Sequence, residues 1–173
     1  SAIRAGKEDQ AMAGQLRGIA VRPARKAPME TRETVNVTAA GGLDGDHAGK
    51  APDRMVTVMS AEAWQDALDA LAPALGEAET LDWTVRRANL LTDGVNLPRA
   101  VGGVIAIGDV ILEVTGQTWP CKRMEEARKG LLKALARDWR GGVTCSVRQA
   151  GVVSVGDPVE ILVSPPEIVR RLP

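Results

Sequence analysis

The sequence predicts a mainly β fold of the α+β kind: a closed β-barrel of mixed strands decorated by two or more helices. Three observations predict it. Short segments alternate apolar and polar residues, as half-buried strands do. Fifteen of the 26 Val and Ile residues fall between Val101 and Val163, and β-branched side chains suit a pleated surface. Helical periodicity occurs in only two stretches, inserted among the strands, whereas a doubly wound sheet needs repeated βα units.

The elements follow in order. Residues 1–17 are polar and rich in Ala and Gly, and read as a loose lead-in. Strand patterns then cover Gly18 to Arg22, Glu33 to Thr38 and Met55 to Met59, and less clearly Thr84 to Leu90. Ser60 precedes a stripe of Trp64, Leu68, Leu71 and Leu75. That spacing predicts a helix with Ser60 as its N-cap, Pro73 kinking or ending it early, and Gly76 as its stop. A second helix is expected from Cys121 to Trp139, with Met124, Ala127, Leu131 and Leu135 on one face and Glu125 paired with Lys129. Gly141-Gly142 would end it. VIAIGDVILEV (104–114) and VVSVGDPVEIL (152–162) each set a Gly-Asp pair between apolar runs. Both read as strand–turn–strand corners, since no helix or G-K-[ST] follows to make a phosphate loop. One domain is expected over residues 18–163, with residues 164–173 as a short tail.

Composition removes several function classes. The 173 residues balance 22 Lys plus Arg against 22 Asp plus Glu, and contain no Phe or Tyr. A neutral chain with four Trp as its only aromatics lacks the basic excess and stacking surfaces of a nucleic-acid binder. No apolar run reaches the roughly 18 residues of a membrane helix, and the N-terminus does not read as a signal peptide, so a cytoplasmic protein is expected. Two Cys and one His cannot make a four-cysteine zinc site. Free thiols are the expected state.

The two thiols differ in setting. Cys121, in TWPCKR, follows Pro120 at the start of a helical pattern. Unpaired N–H groups, the positive end of the helix dipole, and the adjacent Lys122 and Arg123 all favour a thiolate there. That points to a reactive or metal-binding sulfur, the alternative being a buried structural cysteine. Cys145, in the strand-like GGVTCSVRQ, reads as structural. His47 lies in the Gly-rich loop GLDGDHAGK with Asp44, Asp46 and Lys50. It is either a surface loop residue or, if paired in space with Cys121, a base or orienting group. Arg22, Arg25, Lys26, Arg54, Arg86, Arg87, Lys122, Arg123 and Arg148 gather at expected strand ends and loops. Arg forks suit phosphate or carboxylate, and Asn89 suits the amide edge of a ligand. A Cys–His hydrolase would need an oxyanion hole and a partner for His47, and the sequence displays neither.

Seven segments in this order carry a family resemblance: VRPARKAP (21–28), GLDGDHAG (42–49), RMVTVMSAEAW (54–64), RRANLLTDGVNL (86–97), VGGVIAIGDVILEVTG (101–116), Pro120-Cys121, and GGVTCSVRQAGVVSVGDPVEI (141–161). Together they resemble the MOSC domain, named after the C-terminal domain of molybdenum-cofactor sulfurases. The resemblance implies a mostly β barrel linked to the molybdopterin-type molybdenum cofactor. It makes Cys121 the functional sulfur, either a molybdenum ligand, as in amidoxime-reducing relatives, or a persulfide carrier. It also matches Arg25, and Arg87 with Asn89, to cofactor-holding positions, and puts Asp46 and His47 where another cofactor-facing pair is expected. Arg25-Lys26 stands where the amidoxime-reducing proteins typically have Lys-Ser. Those proteins also carry a preceding β-barrel domain, and the sulfurases a pyridoxal-phosphate desulfurase domain, which this sequence does not contain.

The leading expectation is an oxidoreductase acting on small N-hydroxylated substrates, with a separate reductase as electron donor. The alternatives are a sulfur carrier supplied by a cysteine desulfurase, or a non-catalytic cofactor-binding module. No pyridoxal phosphate is expected within this chain.

Overall fold

The computed structural model describes residues 14–49, 51–52, 54–75, 81–119 and 121–167, with the side chains of 72–75 excepted. Pro120, Lys50 and Gly76, which the sequence reading used, lie outside the described residues.

Seven strands close the barrel. They are β1 (Gly14–Val21), β5 (Val56–Ser60), β6 (Leu90–Asp93), β7 (Val104–Ile107), β8 (Val110–Gln117), β9 (Val143–Gln149) and β11 (Pro158–Val163). Around the wall the order is β11-β7-β8-β9-β5-β6-β1, and β1 pairs back to β11. Only β5 and β6 are parallel, which makes the barrel mixed. β2 (Glu30–Arg32) extends the sheet beside β1, while β3 (Thr34–Thr38), β4 (Gly42–Leu43) and β10 (Gly151–Ser154) form a separate three-stranded sheet. The closed barrel with helices is the fold the sequence predicted.

Alternation explains the core. Along β8, Val110, Leu112 and Val114 are buried while Ile111 and Glu113 are half-buried, so one face of the strand fills the interior. In β1 a register shift between Leu16 and Gly18 lets Leu16, Ile19 and Val21 all turn inward. Closure removes the exposed edges an open sheet would leave. Outside the wall, Met59 and Leu91 carry a second apolar cluster with Trp64, Met124, Leu131 and Leu135 from the helices. Thus Val58 and Leu90 face the barrel, and their neighbours Met59 and Leu91 face the helices.

The hairpin expected at 104–114 is β7–β8. The segment at 152–162 is a corner between sheets, because β10 pairs with β3 and β11 with β7 and β1. Asp157 shapes it by accepting from the Ser154 N–H at 2.8 Å.

Helix α1 spans Ala61–Leu75, with the Ser60 hydroxyl accepting from the Ala63 N–H at 3.0 Å, as an N-cap does. It continues through Pro73, which near the C-terminal end forfeits only one intrahelical bond. The expected strand at Thr84–Leu90 is instead a 3₁₀ turn at Trp83–Arg86 leading into β6. Asp82 caps that turn through the Thr84 N–H at 3.3 Å. The expected helix over 121–139 is two short ones, α2 (Lys122–Ala127) and α3 (Leu131–Ala136), followed by a 3₁₀ turn at Arg137–Trp139. Gly130 breaks them apart at φ 89°, a backbone angle that side chains disfavour. The Glu125 carboxylate accepts from the Gly130 N–H at 3.0 Å rather than serving a helical pair with Lys129, and Ala127 is exposed.

Candidate functional site

Cys121 is the N-cap residue of α2, with φ −102° and ψ 170°. Its thiol is exposed and makes no capping hydrogen bond, while its carbonyl accepts from the Met124 N–H at 2.9 Å. The preceding residues end β8, whose last pairing is Gln117 with Val143. Thr118 then donates its N–H to the Gly142 carbonyl at 2.9 Å. The cysteine therefore sits where a barrel strand hands over to a helix.

The 3₁₀ turn brings two arginines to it. Arg86 is buried, at 6% exposure, and donates from Nη2 to the Thr118 carbonyl at 3.4 Å. Arg87 adopts the left-handed conformation, φ 65° and ψ 25°, held by its N–H on the Thr84 carbonyl at 3.1 Å. That reversal gives consecutive arginines different environments, since Arg86 is buried and Arg87 half-exposed. Burial lowers the proton affinity of Arg86, and the nearby Cys121 acts the other way. Arg87 is lowered by burial, then by Arg123 and Arg22, with Cys121 again acting the other way. Both remain guanidinium cations at ordinary pH. The arrangement places Arg22, Arg86, Arg87 and Arg123 within electrostatic reach of one another or of the sulfur. Among the described residues, none of the four has a carboxylate partner.

Asp46 and His47 join through Arg22. The Arg22 N–H donates to the Asp46 carboxylate at 2.9 Å, and the His47 N–H donates to the Arg22 carbonyl at 2.7 Å. The Gly-rich loop is thereby fastened to the end of β1. The His47 side chain is exposed, and no hydrogen bond joins it to Cys121 among the described residues. Arg25 is exposed in the turn closed by the Ala27 N–H on the Ala24 carbonyl at 3.1 Å.

Asn89 is a bracket. At 5% exposure, its Oδ1 accepts from the Thr57 N–H and hydroxyl, each at 3.0 Å, and its Nδ2 donates to the Ala20 carbonyl at 3.2 Å. It thus ties β1 to β5 just ahead of β6, and sets where Arg86 and Arg87 emerge. Arg148, grouped with the other cations by sequence, pairs with Glu113 across β8 and β9. Arg86 is buried where Arg87 is half-exposed, a difference the sequence alone does not separate. The tandem Arg-Arg was the signal, but a sequence does not show which of two adjacent residues faces inward.

Trp119, next in the loop, is 70% exposed. A separate cleft of about 370 Å³ lies past Gly142, lined by residues including Ser60, Asn96, Arg99 and Trp139. Neither Cys121 nor the arginines around it line that cleft.

A mixed barrel thus presents an exposed thiol at a strand-to-helix junction, near arginines that have no carboxylate partner among the described residues. The chain belongs to the MOSC domain family, whose model matches residues 44–160, and that family is linked to the molybdenum cofactor. Among solved structures, the YuaD protein of Bacillus subtilis is similar at TM-score 0.67 and 18% identity, over 86% of this chain and 95% of that one. YiiM of Escherichia coli is similar at 0.65 and 19%, over 88% and 72%, and YiiM of Geobacillus stearothermophilus at 0.64 and 17%, over 86% and 75%. These likenesses speak for the fold. Curated proteins give no sequence match.

Proposed function

We propose that this MOSC chain binds a molybdopterin-type molybdenum cofactor, with the Cys121 thiolate as a molybdenum ligand. In this reading it is an oxidoreductase acting on small N-hydroxylated substrates, with electrons from a separate reductase. One observation carries it: an exposed thiol lies among guanidinium groups that no carboxylate of the described residues pairs with. Such cations suit an anionic ligand, and a soft thiolate suits a heavy metal centre. No group of three or more His, Cys, Asp or Glu among the described residues could hold a metal ion. In the proposal Cys121 is the ligand this chain supplies, and the other ligands arrive with the cofactor. Buried Nε of Arg86 and buried Oγ1 of Thr118, both without partners, fit a site that expects a polar guest.

When bound, the cofactor supplies the metal-centred electron transfer that the side chains lack. Arg87, Arg22 and Arg123 hold its anionic groups, with Arg25 at the rim. Asp46 fixes Arg22 through the backbone, Asn89 fixes the Arg86–Arg87 turn, and His47 is the candidate proton carrier. The protein acts in the cytoplasm, where a free thiol stays reduced. The test is molybdenum and pterin content of wild type and Cys121→Ala, purified anaerobically from a cofactor-producing host. Near-stoichiometric metal in wild type and its loss in the variant are expected; equal metal in both would end the ligand role.

A second reading is supported by the exposure of the Cys121 thiol and its freedom from any capping bond. A sulfur carrier needs a thiol that a desulfurase can reach. With a desulfurase and cysteine, the Cys121 peptide would gain about 32 Da as a persulfide. Cofactor binding that survives loss of Cys121, without turnover, would instead mark a binding module.

A further inference from the structure

Among the described residues, Arg86 is a buried guanidinium in an unusual setting. It is 6% exposed and, among the described residues, has no carboxylate partner and leaves Nε without an acceptor. A buried cation in that state is strongly disfavoured unless something nearby compensates its lost hydration. Among the described residues its side chain makes one hydrogen bond, the long one to the Thr118 carbonyl at 3.4 Å. Thr118 itself keeps a buried hydroxyl without a partner. Gly141 closes the other side: a Cβ there would lie 2.7 Å from the Thr118 carbonyl oxygen and 3.4–3.5 Å from the guanidinium nitrogens. The backbone thus approaches the Arg86–Thr118 pair as closely as only glycine permits, and it supplies no negative charge.

We propose that Arg86 is a positioning residue of the cysteine site, tying the loop that carries Cys121 to the Trp83–Arg86 turn and supplying a fixed positive charge there. The inference rests on the reading of Cys121 as the functional sulfur. Three facts support it independently of Arg87: the bond to Thr118, the missing carboxylate, and the position of the turn against α2. A thiolate at Cys121 and the Arg86 guanidinium would stabilise one another. Arg22, Arg87 and Arg123 form a solvated rim that salt screens, whereas Arg86 lies in a dry setting where screening is weak. Arg86 therefore sets the field at the sulfur, and the rim adds to it.

The test uses the full-length, metal-free protein and two alkylating reagents of similar size, anionic iodoacetate and neutral iodoacetamide. Their rate ratio at Cys121 reports the local potential and cancels the ionisation and exposure of the thiol. The buried Cys145 stays silent. Arg86→Gln should lower the iodoacetate to iodoacetamide ratio by at least about threefold. Arg86→Lys should restore it, and Arg87→Gln should lower it less. A ratio unchanged in Arg86→Gln, or lowered equally by Lys and Gln, would overturn the charge role.

Wild type alone gives a second measurement that requires no variant to fold. The ratio, relative to free cysteine, should remain elevated at 1 M salt, where the exposed rim is screened to about 3 Å. Collapse to the free-cysteine value would overturn the proposal. Because no metal is present, this outcome is separate from whether Cys121 retains molybdenum.

Discussion

The two cysteines offer a controlled comparison, with one side chain in two environments of one barrel. Cys145 lies on β9 between Val56 of β5 and Val114 of β8, fully inside the apolar core. Burial alone pushes its thiol far above the usual range. Cys121 stands outside the wall at the start of α2, exposed and among arginines. The difference teaches that sulfur chemistry in this chain is assigned by the barrel, since an inward position silences a thiol and a strand-to-helix exit exposes one.

The largest expected effect breaks or confirms that contrast directly. With Ellman's reagent, one thiol of the native protein should react at once, and peptide mapping should identify it as Cys121. Cys145 should react only through unfolding, at least about a thousandfold more slowly, because its exposure tracks the global equilibrium. Comparable rates for both would show that β9 opens locally, and the contrast would be lost.

Much of this contrast was legible in the sequence. Cys145 sits between small and β-branched residues in a strand pattern, and Cys121 begins a helical pattern beside Lys122 and Arg123. Local alternation likewise marks β3, β5, β7 and β8, because inward and outward faces differ in polarity. What periodicity cannot carry is non-local or conformational. Closure of β1 on β11 joins Gly14 to Val159 across nearly the whole described chain. The left-handed Arg87 turned an apparent strand into a 3₁₀ turn, and no residue pattern announces positive φ at an arginine. Gly130 did offer a signal, as a glycine inside a helical run. Asn89 offered none, because an asparagine that braces backbone and one that meets a ligand look alike in sequence.

A pH profile sharpens the comparison next. The Cys145 thiol stays protonated in the folded state, while in the unfolded chain it ionises near the ordinary value of 9.0. Above that pH the unfolded state binds fewer protons than the native state. Its contribution to stability is therefore fully present below pH 9 and falls as pH rises beyond it, by up to about 1.4 kcal/mol per unit. Cys145→Ala should lose stability at all pH values but lack this extra decline. Urea denaturation of both proteins between pH 7.5 and 10.5, roughly bracketing thiol ionisation, gives the difference. Parallel profiles would mean that Cys145 ionises alike in both states, and that its burial has been overstated.

The smallest effect is the most discriminating, because one substitution should act oppositely at the two sites. Cys145→Ser places a hydroxyl among Val56, Val114 and the barrel core, and an unsatisfied hydroxyl there costs about 1–3 kcal/mol. Cys121→Ser puts a better capping group where the extended backbone already has N-cap geometry and the thiol makes no bond. A serine oxygen can accept from the first-turn N–H groups, so the change should be neutral or stabilising by up to about 0.5 kcal/mol. That small gain would be informative about function. A native cysteine that forgoes the better cap indicates that its sulfur is retained for chemistry rather than for the helix. If Cys121→Ser were instead as costly as Cys145→Ser in urea denaturation, Cys121 would have to be a structural residue. The surrounding arginines would then have lost the partner that the proposed function gives them.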